Sequence, residues 1–210
     1  MIIEVARRRH RACGRQSISS SRTRFPPTTG FNGRSATTAA FALWDVISWA
    51  ELSIRQVARA RASGALTSLV LSLNYHGFMT TSCRDFEAAT SLVAEHDAVK
   101  EVTGIRMAPY GARLLAAYQG RPVDLSPHML AVDNELLERG DGYAQQFRSF
   151  ATAVFPNGLC RYTQAFTTAQ DVAYEVSFLA PFALSELIEA AVRSGSTEPA
   201  KKTRWNDSWP

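Results

Sequence analysis

The sequence predicts an all-α fold in which antiparallel helix hairpins stack as a tetratricopeptide-like solenoid. Apolar residues recur at three- and four-residue spacing in one segment after another. Glycines end these segments, and none of the segments shows the apolar–polar alternation of a strand. The helix starts also recur in register, with steps of about 36, 40 and 35 residues. These steps are close to the tetratricopeptide period of about 34 residues.

Composition divides the chain of 210 residues into three parts. Residues 1–38 are expected to form a disordered arm rich in Arg and Ser, residues 39–200 a helical-repeat domain, and residues 201–210 a disordered tail. Residues 1–34 contain eight arginines and one acidic residue, a net charge of +7, which leaves −3 for the remainder. The basic character of the chain therefore belongs to the arm.

Local start and stop signals place the first four helices. Asp45 is expected to cap a helix that ends at Gly64, and a more apolar helix follows from Ala65 to about Phe78. The buried side of the first helix is predicted to contain Ile47, Ala50, Ile54, Val57 and Ala58. The next two helices are predicted from Arg84–Asp85–Phe86 to Gly104 and from Pro109 to Gly120.

The later helices are predicted from the same kinds of start and stop signals. A helix led by Ser126–Pro127 runs into Gly140, and its partner runs from Tyr143 to about Phe155. Pro156, Asn157 and Gly158 are expected to end that partner, with Asn157 or Gly158 in the left-handed conformation. The last two helices are predicted from Tyr162 to about Ala173 and from Pro181 to Ser194. The carboxylates Glu135, Glu138, Glu186 and Glu189 fall opposite the apolar stripes and are expected to be solvated.

Four pieces of the sequence carry a resemblance to a known family. They are FALWD at Phe41–Asp45, ATSLVAEHDAVKEVTG at Ala89–Gly104, NGLCRY at Asn157–Tyr162 and LSELIEAAVRSG at Leu184–Gly195. Residues 39–200 resemble the helical-repeat region of the large ATP-binding LuxR-family transcriptional regulators of actinobacteria, whose architecture resembles that of MalT-type signalling ATPases. The resemblance implies a non-enzymatic sensor or regulatory scaffold in the cytoplasm.

In that family a nucleotide-binding module precedes the repeats and a helix-turn-helix follows them. The present sequence contains no Gly-x-x-x-x-Gly-Lys-[Ser/Thr] phosphate loop, so ATP hydrolysis and DNA reading are not carried over. Because the family-like sequence starts near Ala39 and stops near Ala200, we expect an internal piece of a larger regulator.

We expect no catalytic residue, no cofactor and no metal site. His76, His96 and His128 lack a second ligand at metal spacing, except that His96 lies beside Glu95 and Asp97, which are expected on different helix faces. The three cysteines form no Cys-x-x-Cys pair or disulfide framework, which suits a reducing cytoplasm. Cys160 has no histidine beside it in the sequence to act as a base. The longest apolar stretch, Leu66–Leu73, is too short to span a membrane, and no membrane partner is expected.

Five aromatic residues are candidates for a concave groove that would bind a protein or a small effector. They are Tyr110, Tyr118, Tyr143, Phe147 and Phe150, and the alternative is that they belong to the core. A second functional hypothesis is a nucleic-acid-associated protein that acts through its arginine-rich arm. A third hypothesis is a gene remnant without function.

Overall fold

The computed structural model describes residues 30–43, 45–122, 127–140, 142–174 and 179–196, without the side chains of residues 30–35 and 127–131. The described residues form nine helices and no strand, which confirms the all-α prediction. The helices are α1 (Gly30–Ala42), α2 (Val46–Ala62), α3 (Leu66–Ser82), α4 (Phe86–Thr103), α5 (Tyr110–Tyr118), α6 (Pro127–Glu138), α7 (Gly142–Gly158), α8 (Tyr162–Tyr174) and α9 (Ala180–Ser194). Most of the predicted arm and the whole predicted tail lie outside the described residues.

The chain divides into two compact units, and the division falls inside α5, between Leu115 and Ala116. In the first unit, α1 to α4 each pack against the next helix in sequence. In the second unit, α6 to α9 do the same, and α9 also packs against α7. Packing between sequence neighbours is what short connections between helices impose.

Helix α1 begins before the predicted start of the helical region at residue 39. Residues 30–38, which composition assigned to the disordered arm, are helical. Phe41 explains the difference: it is buried, with its ring centroid 4.7 Å from that of Trp49 and 6.1 Å from that of Phe78. A weak helix former can be held by such tertiary packing, which local composition does not reveal.

The starts of α2 and α4 confirm the predicted aspartate caps. Asp45 Oδ1 accepts a hydrogen bond from the backbone N–H of Ser48 at 3.1 Å. Asp85 Oδ1 accepts the equivalent bond from Ala88 at 3.1 Å. Each cap satisfies one of the N–H groups that the first turn of a helix leaves without a partner, so the two helices begin at the residue after the aspartate.

The buried face of α2 differs from the predicted one. Ile47 is 57% exposed, Ile54 is 50% exposed and Ala58 is exposed, so the prediction is wrong for these residues. The buried set is Trp49, Leu52, Ser53, Val57 and Ala60. The apolar stripe was misplaced because Ser53 is a polar residue with an internal partner, as described below, and Trp49 belongs to the cluster around Phe41.

A buried asparagine joins α3 to the start of α5. Asn74 Nδ2 donates to the carbonyl oxygen of Ala108 at 2.7 Å, and its Oδ1 accepts from the N–H of Gly111 at 3.2 Å. A Cβ at Gly111 would lie 3.0 Å from the backbone of Gly77 and of Phe78, closer than carbon atoms normally approach. Glycine at this position therefore allows the two helix backbones to come together.

Helix α7 runs three residues past its predicted end at Phe155. Pro156 lies inside its last turn, and Asn157 and Gly158 are helical, so the prediction of a left-handed Asn157 or Gly158 is wrong. The left-handed residue is Cys160, with φ 58°. Gly158 serves close packing instead, because a Cβ there would lie 2.9 Å from the carbonyl oxygen of Ala117.

One turn recurs along the chain. At residues 63–65, 83–85 and 159–161, three successive N–H groups donate to the carbonyls four, three and five residues earlier. The middle residue of each turn is left-handed, as in a Schellman-type helix end. Left-handed residues also stand at Gly104, Gly120, Gly140 and Gly195. Those at 84, 120, 160 and 195 are separated by steps of 36, 40 and 35 residues, the steps of the predicted register.

Candidate functional site

Three of the five candidate groove residues are buried. They are Tyr110, Phe147 and Phe150, whereas Tyr118 is partly buried and Tyr143 is about half exposed. Tyr110 belongs to the first unit and the other four to the second. A buried ring offers no surface to a ligand, so only Tyr118 and Tyr143 present part of their side chains to solvent.

Two of the buried rings, those of Tyr110 and Phe150, pack against other aromatic residues of their own unit. The centroid of Tyr110 lies 5.6 Å from that of Tyr75, and the centroid of Phe150 lies 6.4 Å from that of Phe182 in an edge-to-face arrangement. Such pairs stabilise a core beyond the area they bury. The structure therefore gives these rings a packing role, and the groove stays a prediction for the remaining two.

A buried carboxylate joins three helices of the second unit. Glu186 of α9 is 4% exposed, which corrects the prediction that it is solvated. The hydroxyl of Tyr118 donates to Oε1 at 3.1 Å, and Asn157 Nδ2 donates to Oε2 at 3.0 Å and to the Glu186 carbonyl oxygen at 3.1 Å. These donors offset the cost of removing a carboxylate from water.

The sequence contained a signal for this burial. Glu186 lies four residues after Phe182 and four before Ala190, both of which are buried, so helical spacing places it on the buried stripe of α9. The prediction of a solvated Glu186 followed its charge rather than this spacing, because charged side chains usually face water. The partners Tyr118 and Asn157 lie 68 and 29 residues away, beyond the reach of any local pattern.

An exposed cluster surrounds the left-handed Cys160, which is a free cysteine. Arg193 Nη1 donates to the hydroxyl of Tyr162 at 3.2 Å, its guanidinium lies 5.3 Å from the centre of that ring, and its Nε contacts Glu189 Oε1 at 3.1 Å. A hydrogen bond with Cys160 raises the pKa of Tyr162. A phenol and a guanidinium take no proton at neutral pH, so these neighbours supply no general base for the thiol.

A serine–histidine pair lies in the first unit, where the sequence analysis saw an isolated histidine. His76 Nδ1 lies 2.9 Å from Ser53 Oγ, and Ser53 Oγ donates to the carbonyl oxygen of Ala50 at 2.9 Å. Because the hydroxyl proton of Ser53 lies in its bond to Ala50, we assign the proton between Ser53 Oγ and His76 Nδ1 to the histidine nitrogen. Burial, and to a lesser extent the charge of Arg61, lowers the pKa of His76 to about 4.

This pair is built unlike a catalytic one. In a catalytic pair the serine hydroxyl donates its proton to the imidazole, whereas here the imidazole donates to the serine. Ser53 is also only 2% exposed, so a substrate does not reach its oxygen. The pair therefore links α2 to α3 rather than activating a nucleophile.

Across the part of the chain that the structure describes, no three His, Cys, Asp or Glu side chains come together as a metal site would need. Within that part, no helix combines the length and the apolar character that crossing a bilayer requires. Comparison with protein-family models, with curated proteins and with solved structures finds no match.

Proposed function

We propose that the chain is a non-enzymatic helical-repeat scaffold whose hairpins stack as a solenoid and bind a protein or a small effector. In this proposal the region corresponds to the sensor or regulatory part of a LuxR-type regulator, and the chain is a piece of such a regulator. The support for a repeat architecture comes from the turns, and the support for the family comes from the four sequence pieces that carry the resemblance.

The single observation that carries the proposal is the recurrence of one turn. Residues 63–65, 83–85 and 159–161 share the same three backbone hydrogen bonds, and the left-handed residues at 84, 120, 160 and 195 keep the register of the sequence repeat. Repeat proteins are built from supersecondary units of nearly constant length, each of which buries its apolar side against its neighbours. A recurring turn is what such a unit requires at its ends.

The polar clusters support a scaffold rather than a reaction site. Glu186 accepts hydrogen bonds from two other helices, and the Ser53–His76 pair uses its serine proton on the backbone. In each case the polar groups bond to one another inside the protein. Hydrogen bonds of this kind between helices favour one alignment of the neighbouring helices.

Hydrogen exchange tests the repeat architecture. In a repeat array, Leu73→Ala in α3 is expected to speed amide exchange most in the adjoining α2 and α4, with an effect that fades along the chain. Leu73 is fully buried, whereas Leu66 on the same helix is about half exposed, so Leu66→Ala is the matched control. Equal acceleration at all amides would contradict the proposal, because a single cooperative core opens as a whole.

The nucleotide sequence on both sides of the coding region tests the family assignment. A reading frame with a phosphate loop upstream and one with a helix-turn-helix downstream would support it. Unrelated frames on both sides would count against a piece of a LuxR-type regulator, while leaving the hydrogen-exchange result on the repeats unaffected.

A further inference from the structure

His96 of α4 is a buried histidine, and only one of its two ring nitrogens is hydrogen-bonded. The residue is 2% exposed, and its Nδ1 lies 2.9 Å from Oδ1 of Asp97. A carboxylate accepts hydrogen bonds, so we assign the proton of the neutral ring to Nδ1. The other nitrogen, Nε2, is buried and has no hydrogen-bond partner among the described residues. It therefore holds its lone pair inside the protein.

The helices next to α4 bring no carboxylate to this ring. In α3 the ionisable residues are Tyr75 and His76. From α2, Arg61 reaches α4 and pairs with Glu95. From α5, Arg113 is buried and carries a positive charge. A proton on Nε2 would therefore add a charged donor in an interior where Nε2 has no acceptor, which is far more costly than a buried lone pair.

The residues of α4 itself do not remove this cost. Asp97 bonds to Nδ1 only, and its side chain is 60% exposed, so water screens its charge. Lys100, one turn after His96, is half buried. Burial lowers the pKa of His96, the bond to Asp97 and the charge of Asp97 oppose this effect, and the charge of Lys100 adds to it. The packed state thus favours the neutral ring.

The side of α4 that contains His96 covers an apolar cluster of the first unit. Leu92 and Val99 of α4 pack against this cluster. The cluster consists of Val57, Ala60, Leu69 and Leu73. His96 lies four residues after Leu92 and three before Val99, so helical spacing places the three on one side of α4. Moving the ring of His96 into water therefore requires that side of α4 to leave the cluster.

We propose that acid releases α4 from the first unit: Nε2 of His96 takes up a proton, the ring moves into water, and the apolar cluster beneath α4 is exposed. In the opened state the ring is solvated and titrates near the ordinary pKa of 6.5. The packing of α4 is therefore at full strength above pH 6.5 and weakens as the pH falls from 6.5 towards the lowered pKa of the packed state. This inference does not depend on the scaffold proposal, because it uses only helices of the first unit.

Hydrogen exchange of the full-length protein at about pH 7.5 and about pH 5 measures this opening, after correction for the intrinsic dependence of exchange on pH. The amides of α4 are expected to lose more protection at the lower pH than those of α3. The upper limit of the loss is about 30-fold, the ratio of protonated to neutral imidazole at about pH 5 for a pKa of 6.5. Unchanged protection of α4, or an equal loss in α3 and α4, would overturn the proposal.

Two asparagine variants form a matched pair, because asparagine keeps an N–H donor near the position of Nδ1 and does not titrate. His96→Asn is expected to remove the pH dependence of exchange in α4. His76→Asn, which changes the histidine bonded to Ser53, is expected to keep the difference between α4 and α3. A difference that persists in His96→Asn, or that His76→Asn removes to the same extent, would overturn the proposal.

Nuclear magnetic resonance of the ring nitrogens tests the same point without a substitution. At about pH 7.5 the ring of His96 is expected to be neutral, with its proton on Nδ1 and none on Nε2. A proton on Nε2 at this pH would contradict the proposal, because the buried nitrogen would then already accommodate a donor.

Discussion

The two glycines at the ends of α7 offer a matched pair for testing how closely the helices of the second unit pack. A Cβ at Gly158 would lie 2.9 Å from the carbonyl oxygen of Ala117, 3.5 Å from that of Tyr118 and 3.6 Å from the nitrogen of Gly120. A Cβ at Gly142 would meet nothing within 4 Å. Neither glycine has a positive φ, so alanine can adopt both backbone conformations.

The expected cost follows from the contact at Gly158. The opposing atom belongs to a backbone and cannot rotate away, so Gly158→Ala must displace α7 by several tenths of an ångström. Overpacking of this kind costs about 1–3 kcal/mol, against a gain of roughly 0.5–1 kcal/mol for alanine over glycine in a helix. We expect Gly158→Ala to be destabilised by about 1 kcal/mol and Gly142→Ala to be unchanged or slightly stabilised.

Urea and thermal unfolding, followed by circular dichroism at the helix minimum, measure the difference. A change of 1 kcal/mol shifts the midpoint of a domain of this size by about 2–4 °C. If Gly158→Ala proved as stable as Gly142→Ala, the close approach of α7 to the end of α5 would be refuted.

Three further expectations concern the turns, the buried histidine and the arm. Arg84→Gly and Cys160→Gly are expected to stabilise the protein by up to about 1 kcal/mol in urea unfolding, because glycine adopts the left-handed conformation without strain. Gly104→Ala, at φ 64° in open space, is expected to destabilise it. A change of stability in the same direction for Gly104→Ala and for the two substitutions to glycine would contradict this expectation. His76 has its pKa lowered to about 4 from 6.5, so the unfolded chain binds the extra proton and stability should rise with pH from about 4 to 6.5. The change is at most about 3 kcal/mol, and His76→Gln should flatten that slope. Any affinity for polyanions should fall steeply with salt and disappear when residues 1–35 are deleted, and binding that survives the deletion would exclude the arm.

Local signals in the sequence were sufficient for much of the fold. Asp45 and Asp85 were recognised as caps because the bond from a capping side chain to the helix spans three residues, and Gly64 and Gly104 were recognised as stops because their conformation is set locally.

Features that depend on distant residues were not predictable in this way. The role of Gly158 is set by the carbonyl of Ala117, and the burial of Glu186 is set by donors on two other helices. The buried face of α2 was misplaced because Ser53, a polar residue, is satisfied by His76 on the next helix. A periodic pattern of apolar residues identifies the apolar part of a buried face, but it does not show that a polar residue is buried together with its hydrogen-bond partner.

Distances between equivalent turns test the proposed stack of hairpins most directly. Spin labels placed in pairs at the exposed positions Arg84, Arg121 and Arg161 report three distances by pulsed electron resonance. In a solenoid, hairpins follow one another in one direction, so the distance from 84 to 161 is expected to be about twice that of either shorter pair. A distance from 84 to 161 no longer than that from 84 to 121 would contradict the solenoid, since it would mean that the chain folds back on itself.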